Sequence, residues 1–138
     1  MTSKFGFIAS GLPLAAAVLL LGSAAAHAQQ AAFQFEAPPS AQANRVYSVN
    51  AVTGEISACQ FERPEGNLVG VTRCFTRDPS AGPQKNGRYE LRSTRYSGET
   101  GVFRVNIISG EMSVCYVRDM PKSGGGVEPA VVCTPQAK

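Results

Sequence analysis

The chain is predicted to be all-β, two duplicated four-stranded antiparallel meanders packed as a small sandwich. Three observations carry this. The run Val46–Cys59 (VYSVNAVTGEISAC) returns 56 residues later as Val102–Cys115 (VFRVNIISGEMSVC), with seven of the fourteen positions identical. The segments on either side alternate apolar and polar residues with the period of two that a half-buried strand requires. After residue 28 no stretch carries a helical period.

Residues 1–28 read as a leader. Lys4 supplies the basic start, Leu12–Leu21 is apolar, and Ala26-His27-Ala28 has the small-residue pattern of a secretory cleavage site. Cleavage after Ala28 is expected, which places the protein in the periplasm or outside the cell. No stable membrane insertion is expected once the leader is gone. Residues 29–138 then hold one small all-β domain, made of repeat 1 (33–75) and repeat 2 (89–135) joined by loop 76–88.

The whole chain carries a formal charge of +3, and Lys4 leaves with the leader. Its arginines are scattered from Arg45 to Arg118 rather than clustered, so nucleic acid is not an expected partner. The single histidine, His27, falls in the leader. A Ser-His-Asp or Cys-His nucleophile and a histidine metal site are therefore not available to the exported domain.

In order, Phe33–Ala37 alternates as a first strand and Tyr89–Ser93 is its counterpart. The connectors Pro38–Asn44 and Thr94–Thr100 are rich in turn formers. In the next strand Tyr47, Val49 and Ala51 share one face, repeated by Phe103, Val105 and Ile107. The two copies are expected to meet through these Tyr47 and Phe103 sides about a pseudo-two-fold axis. Thr53-Gly54 and Ser109-Gly110 make the hairpin turns, where glycine supplies a positive φ. Asn50 and Asn106 are placed to hydrogen-bond the turn backbone with their side-chain amides. Glu55–Phe61 and Glu111–Val117 return, and Leu68–Phe75 and Val127–Cys133 form the fourth strands. Pro129 cannot donate to a ladder, so the last strand is an edge or begins after it.

Four cysteines in an exported chain imply disulfides. If strands three and four pair around Gly66-Asn67, Cys59 stands opposite Cys74. Cys115 and Cys133 are symmetric about Gly124. The expected bridges are Cys59–Cys74 and Cys115–Cys133, each worth about 3 kcal/mol in the chain-entropy account. There is no Cys-x-x-Cys spacing for zinc or redox work. Glu55 and Glu111 flank equivalent turns, one on each copy, which favours a turn-flanking role over an acid–base pair. Ser57 and Ser113 have no base beside them in the sequence pattern. Tyr96, among glycine and serine, is the aromatic expected to be exposed. No cofactor and no metal site are expected.

The turns Asn50-x-x-Thr53-Gly54-Glu55 and Asn106-x-x-Ser109-Gly110-Glu111 resemble the blade turn of several β-propeller families. The whole repeat is similar to that of small exported proteobacterial proteins of unknown function, in which such a turn precedes Ser-x-Cys and a later Cys. Arg73 and Val132 stand where those proteins often have Trp. The resemblance implies an alternative architecture, two propeller-like blades side by side that complete a ring only by oligomerising, since closure takes at least four blades. It implies no activity. The expected function is a non-catalytic exported binding or interaction module of the bacterial envelope, recognising a protein, peptide or glycan, rather than an enzyme. The alternative is a structural accessory or inhibitor that docks on an enzyme through the loops at 38–44, 76–87 and 94–100.

N-terminal sequencing of the protein recovered after expression of the full chain in an exporting host should begin at Gln29. A start at Met1 in the recovered protein would refute the leader.

Overall fold

The computed structural model describes residues 32–136, so the leader and its cleavage site lie outside the described residues. Nine strands form two sheets: β1 (Phe33–Glu36), β2 (Arg45–Asn50), β3 (Ile56–Glu62) and β4 (Val71–Cys74) in order, then β5 (Thr76–Arg77), β6 (Tyr89–Ser93), β7 (Val102–Asn106), β8 (Met112–Pro121) and β9 (Val127–Cys133). The first sheet runs β1-β2-β3-β4 and is antiparallel; the second runs β5-β9-β8-β7-β6. The fold is all-β, with two sheets that pack on each other and do not close into a barrel.

The expected meander of each copy is present, with two differences. The joining segment is not all loop: Thr76 and Arg77 add to the second sheet as a strand parallel to β9, and Pro79–Ala81 makes one 3-10 turn capped by Asp78. Parallel pairing follows because the chain, leaving β4, crosses to the far side of β9, whose outer edge is free from Ala130 onward. Pro129 lies beyond that paired stretch, opposite Asp119 of β8, where its missing N–H costs no ladder bond. In the first copy the fourth strand is also shorter than expected. Leu68 and Val69 stay out of it and are exposed.

Both hairpins turn in the same way. Asn50 Oδ1 accepts hydrogen bonds from the Val52 and Thr53 amides at 3.0 Å each. Asn106 Oδ1 does the same for Ile108 and Ser109 at 3.0 and 3.3 Å. Gly54 and Gly110 follow at φ 70° and 76°, which a side chain at that position would strain. Cys59 stands opposite Cys74 and Cys115 opposite Cys133, and both pairs are bridged.

The copies part in which face they bury. In the first sheet Tyr47, Val49, Ile56 and Ala58 are buried, together with Ala51. At the equivalent positions of the second sheet, Phe103, Val105, Met112 and Val114 point away from the core, because Val102, Arg104 and Asn106 are the buried alternates of β7. The expectation that the copies meet through their Tyr47 and Phe103 sides therefore fails for the second copy. Instead the Tyr47 face of the first sheet packs on the Leu91, Val102, Cys115 and Val131 face of the second. The two meanders are stacked face to back rather than face to face, and β6 lies against β1 and β2.

Two hydrogen bonds across the stack set its register. Tyr47 Oη donates to the Thr100 carbonyl at 2.8 Å, and the Tyr89 amide donates to the Ala51 carbonyl at 2.9 Å. Burial raises the pKa of the Tyr47 phenol, with the neighbouring Arg45 opposing. The apolar side chains of this interface contribute about 1.5–3 kcal/mol each when fully buried.

Face-to-back stacking gives equivalent disulfides different surroundings. Cys115 is fully buried and Cys133 nearly so, whereas Cys74 is exposed on the outer face of the first sheet. A disulfide is opened by a thiolate that must reach its sulfur. In dilute solution a limiting thiol reductant should therefore open Cys59–Cys74 several-fold faster than Cys115–Cys133. Differential alkylation with mass spectrometry reads the order, and equal rates would contradict it.

Candidate functional site

Strand alternation puts a charge where the first copy has a hydroxyl. Arg104 takes the place of Ser48, and because Val102 must face inward, so must Arg104 two residues on. It is 7% exposed. Its Nε donates to Ser113 Oγ at 3.1 Å, across the β7–β8 ladder. Its Nη1 reaches the carbonyl of Gly54 at 3.1 Å, in the turn of the other copy, and that of Ser80 at 3.4 Å, in the 3-10 turn.

Among the described residues no carboxylate pairs with this guanidinium. Burial lowers the Arg104 pKa, and the adjacent Tyr89 opposes that weakly. An arginine starts so far above neutrality that it stays cationic here. The protein thus holds a buried positive charge solvated by two carbonyls and a hydroxyl, without a counter-ion. Buried charges are ordinarily paired.

Arg104 lines an open cleft of about 270 Å³, with Lys85 and Gln84 from the joining segment, Tyr89, Glu111 to Ser113, and Thr134 to Gln136. Tyr89 is fixed there by a 2.7 Å hydrogen bond from its hydroxyl to the Lys85 carbonyl. Glu111, the one carboxylate of the cleft, accepts the Ser109 hydroxyl at 3.0 Å. Thr134 Oγ1 and Gln136 Oε1 accept the amides of Val114 and Met112 at 3.0 and 3.3 Å. The cleft therefore presents two cations, one carboxylate, hydroxyls and amide groups around a space of small-molecule size.

Ser113 Oγ accepts from a cation, the opposite of what activates a serine nucleophile. Glu55 and Glu111 are given different surroundings: Glu55 pairs with Arg77 at 2.7 Å, and Glu111 lies in the cleft. Tyr96 is exposed in its connector, as its sequence context implies.

A second, larger cleft of about 530 Å³ lies at the other end of the stack, between Arg45, Gln60, Glu62, Arg73 and Phe75 of the first copy and Val117 to Asp119 and Pro129 of the second. Arg45 lies over the Phe75 ring, 5.3 Å from its centroid, and its buried Nε has no partner. The formal charges of this cleft, Arg45, Arg73 and Arg118 against Glu62 and Asp119, leave the same excess of one cation as Lys85 and Arg104 against Glu111 in the first. Arg73 bonds Glu62 at 2.7 Å, and Glu62 is held below the ordinary carboxylate range by its hydrogen bonds from Gln60 and Arg73. Volume favours this cleft, but only the first is lined by an arginine that is itself buried without a carboxylate, Arg104.

The sequence reading passed over Arg104. A signal was present, since Arg104 shares strand parity with the position opposite Cys115, but it is informative only once the Cys115 face is known to be the buried one. No protein-family model, curated protein or solved structure matches this chain.

Arg104→Met tests whether the residue is a strut or a site group. Removing it ends the desolvation cost of the charge along with its hydrogen bonds, and no carboxylate is orphaned. Urea unfolding should place the variant within about 2 kcal/mol of the parent. A loss of twice that would make Arg104 a structural strut.

Proposed function

We propose that the protein is a non-catalytic exported binding module whose ligand presents an anionic group, a carboxylate first of all, to Arg104 and Lys85. The observation that carries this reading is the buried guanidinium without a carboxylate, opening on a cleft. Arginine recognises carboxylate with a planar fork of donors, and a ligand that supplies the missing charge repays the cost of burying it. Two disulfides are compatible with an oxidising, exported location. Envelope peptides and glycans that carry free carboxylates are the ligand class this chemistry fits.

Docking on a protein partner through variable loops is the second reading. The exposed Leu68, Val69 and Tyr96, all in connectors, favour it.

Amide-detected NMR titration with acetate, succinate and inorganic phosphate tests the first reading. Saturable shifts are expected at Lys85, Ser113 and Gln136, stronger for the carboxylates and absent in the Arg104→Met variant. Unsaturated shifts spread over the whole surface, or none, would refute the site.

A further inference from the structure

We propose that the protein assembles head to tail with further copies of itself, the Phe103 face of one chain receiving the Phe35 face of the next as its own two sheets meet. This goes beyond the binding function and does not depend on it. Each meander has two faces, and the stack uses only one of each. The faces left over are those whose equivalents are already joined inside the chain.

On the outer face of the first sheet Phe35 is 69% exposed, Phe33 51% and Val46 47%. Their equivalents in the second sheet, Leu91, Tyr89 and Val102, are 3%, 4% and 0% exposed, because the first sheet covers them. On the outer face of the second sheet, Phe103, Val105 and Val114 stand where the first copy places its buried Tyr47, Val49 and Ala58. Among the described residues no strand or helical turn lies over either outer face.

One close contact makes the correspondence specific. Gly54 lies beneath the Tyr89 ring, so close that an added Cβ would stand 2.7 Å from it. A Cβ added at its equivalent Gly110 would meet nothing within 4 Å, and the equivalent of Tyr89 is the exposed Phe33. A neighbouring chain stacked by the same operation brings Phe33 onto Gly110. It also covers the Cys59–Cys74 bridge as the first sheet covers Cys115–Cys133.

Phe33, Phe35 and Val46 on one outer face, and Met112 with half-buried Phe103, Val105 and Val114 on the other, leave apolar surface in water of the kind that marks an interaction site. A second copy is the occupant argued for because the chain itself shows the two kinds of face fitting. The contact is heterologous, so it propagates until the rotation closes. Two chains supply four sheets, the smallest number with which a propeller-type ring closes.

The test uses protein recovered from an exporting host after expression of the full chain. Light scattering at tens of micromolar should give the mass of two or more chains. Phe35→Glu and Val105→Glu each spoil one face, lie outside the Arg104 cleft, and should each leave a monomer whose association is weaker by about 30-fold or more. Each variant retains the other face, so mixing the two should give a one-to-one dimer that grows no further. With the parent protein, rising concentration should slow the reductive opening of Cys59–Cys74 while leaving Cys115–Cys133 unchanged. A monomeric parent overturns the proposal whether or not the variants fold. So does a dimer that survives either single substitution, because that contact would join like faces. Carboxylate binding by a monomeric parent would leave the binding reading standing and refute self-association alone.

Discussion

The structure depends on one contact, the stacking of the Tyr47 face of the first sheet on the Val102 face of the second. Neither meander alone is covered on both sides, and a lone sheet of this size has little apolar surface to bury. Stacking removes Tyr47, Val49, Ile56, Val102, Cys115 and Val131 from water together. The joining segment then has to run from the end of β4 to the far edge of the second sheet. It does so as β5 and a 3-10 turn, whose Ala81 closes the core and whose Ser80 hydroxyl accepts the Cys133 amide at 2.9 Å.

The same contact creates the charged cleft. Once Val102 faces inward, Arg104 can only follow it, and the first copy supplies a turn carbonyl from Gly54 rather than a carboxylate. An apolar residue at this position would be the simpler solution for stability, since buried charge is costly and is often replaced without loss. The neighbouring Lys85 adds to the positive charge instead of offsetting it. The unpaired cation in the lining of a cleft is the observation on which the proposed binding reading rests.

Duplication has thus produced one local structure in two environments. The Asn-x-x-Thr/Ser-Gly turns agree in every hydrogen bond that defines them, because a turn is settled within six residues. The disulfides agree in pairing but not in burial. Phe35 is exposed where its equivalent Leu91 is buried, and Val49 is buried where its equivalent Val105 is half-buried on an outer face. What distinguishes them lies outside the repeat, in the sheet that does or does not cover them.

The sequence by itself determined the four strands of each copy, apart from the start of β4, together with the turns and the cysteine partners, but not β5. These rest on the period of two, on the φ that glycine permits and on the symmetry of short loops, all of which act between residues near in the chain. It did not determine which face of each meander is inside, and so could not place Arg104 or the core role of Cys115. Alternation sorts residues into two faces without ranking them, and in this chain both faces of both copies carry large apolar side chains. Only the tertiary contact ranks them, because burial is a property of what another sheet covers.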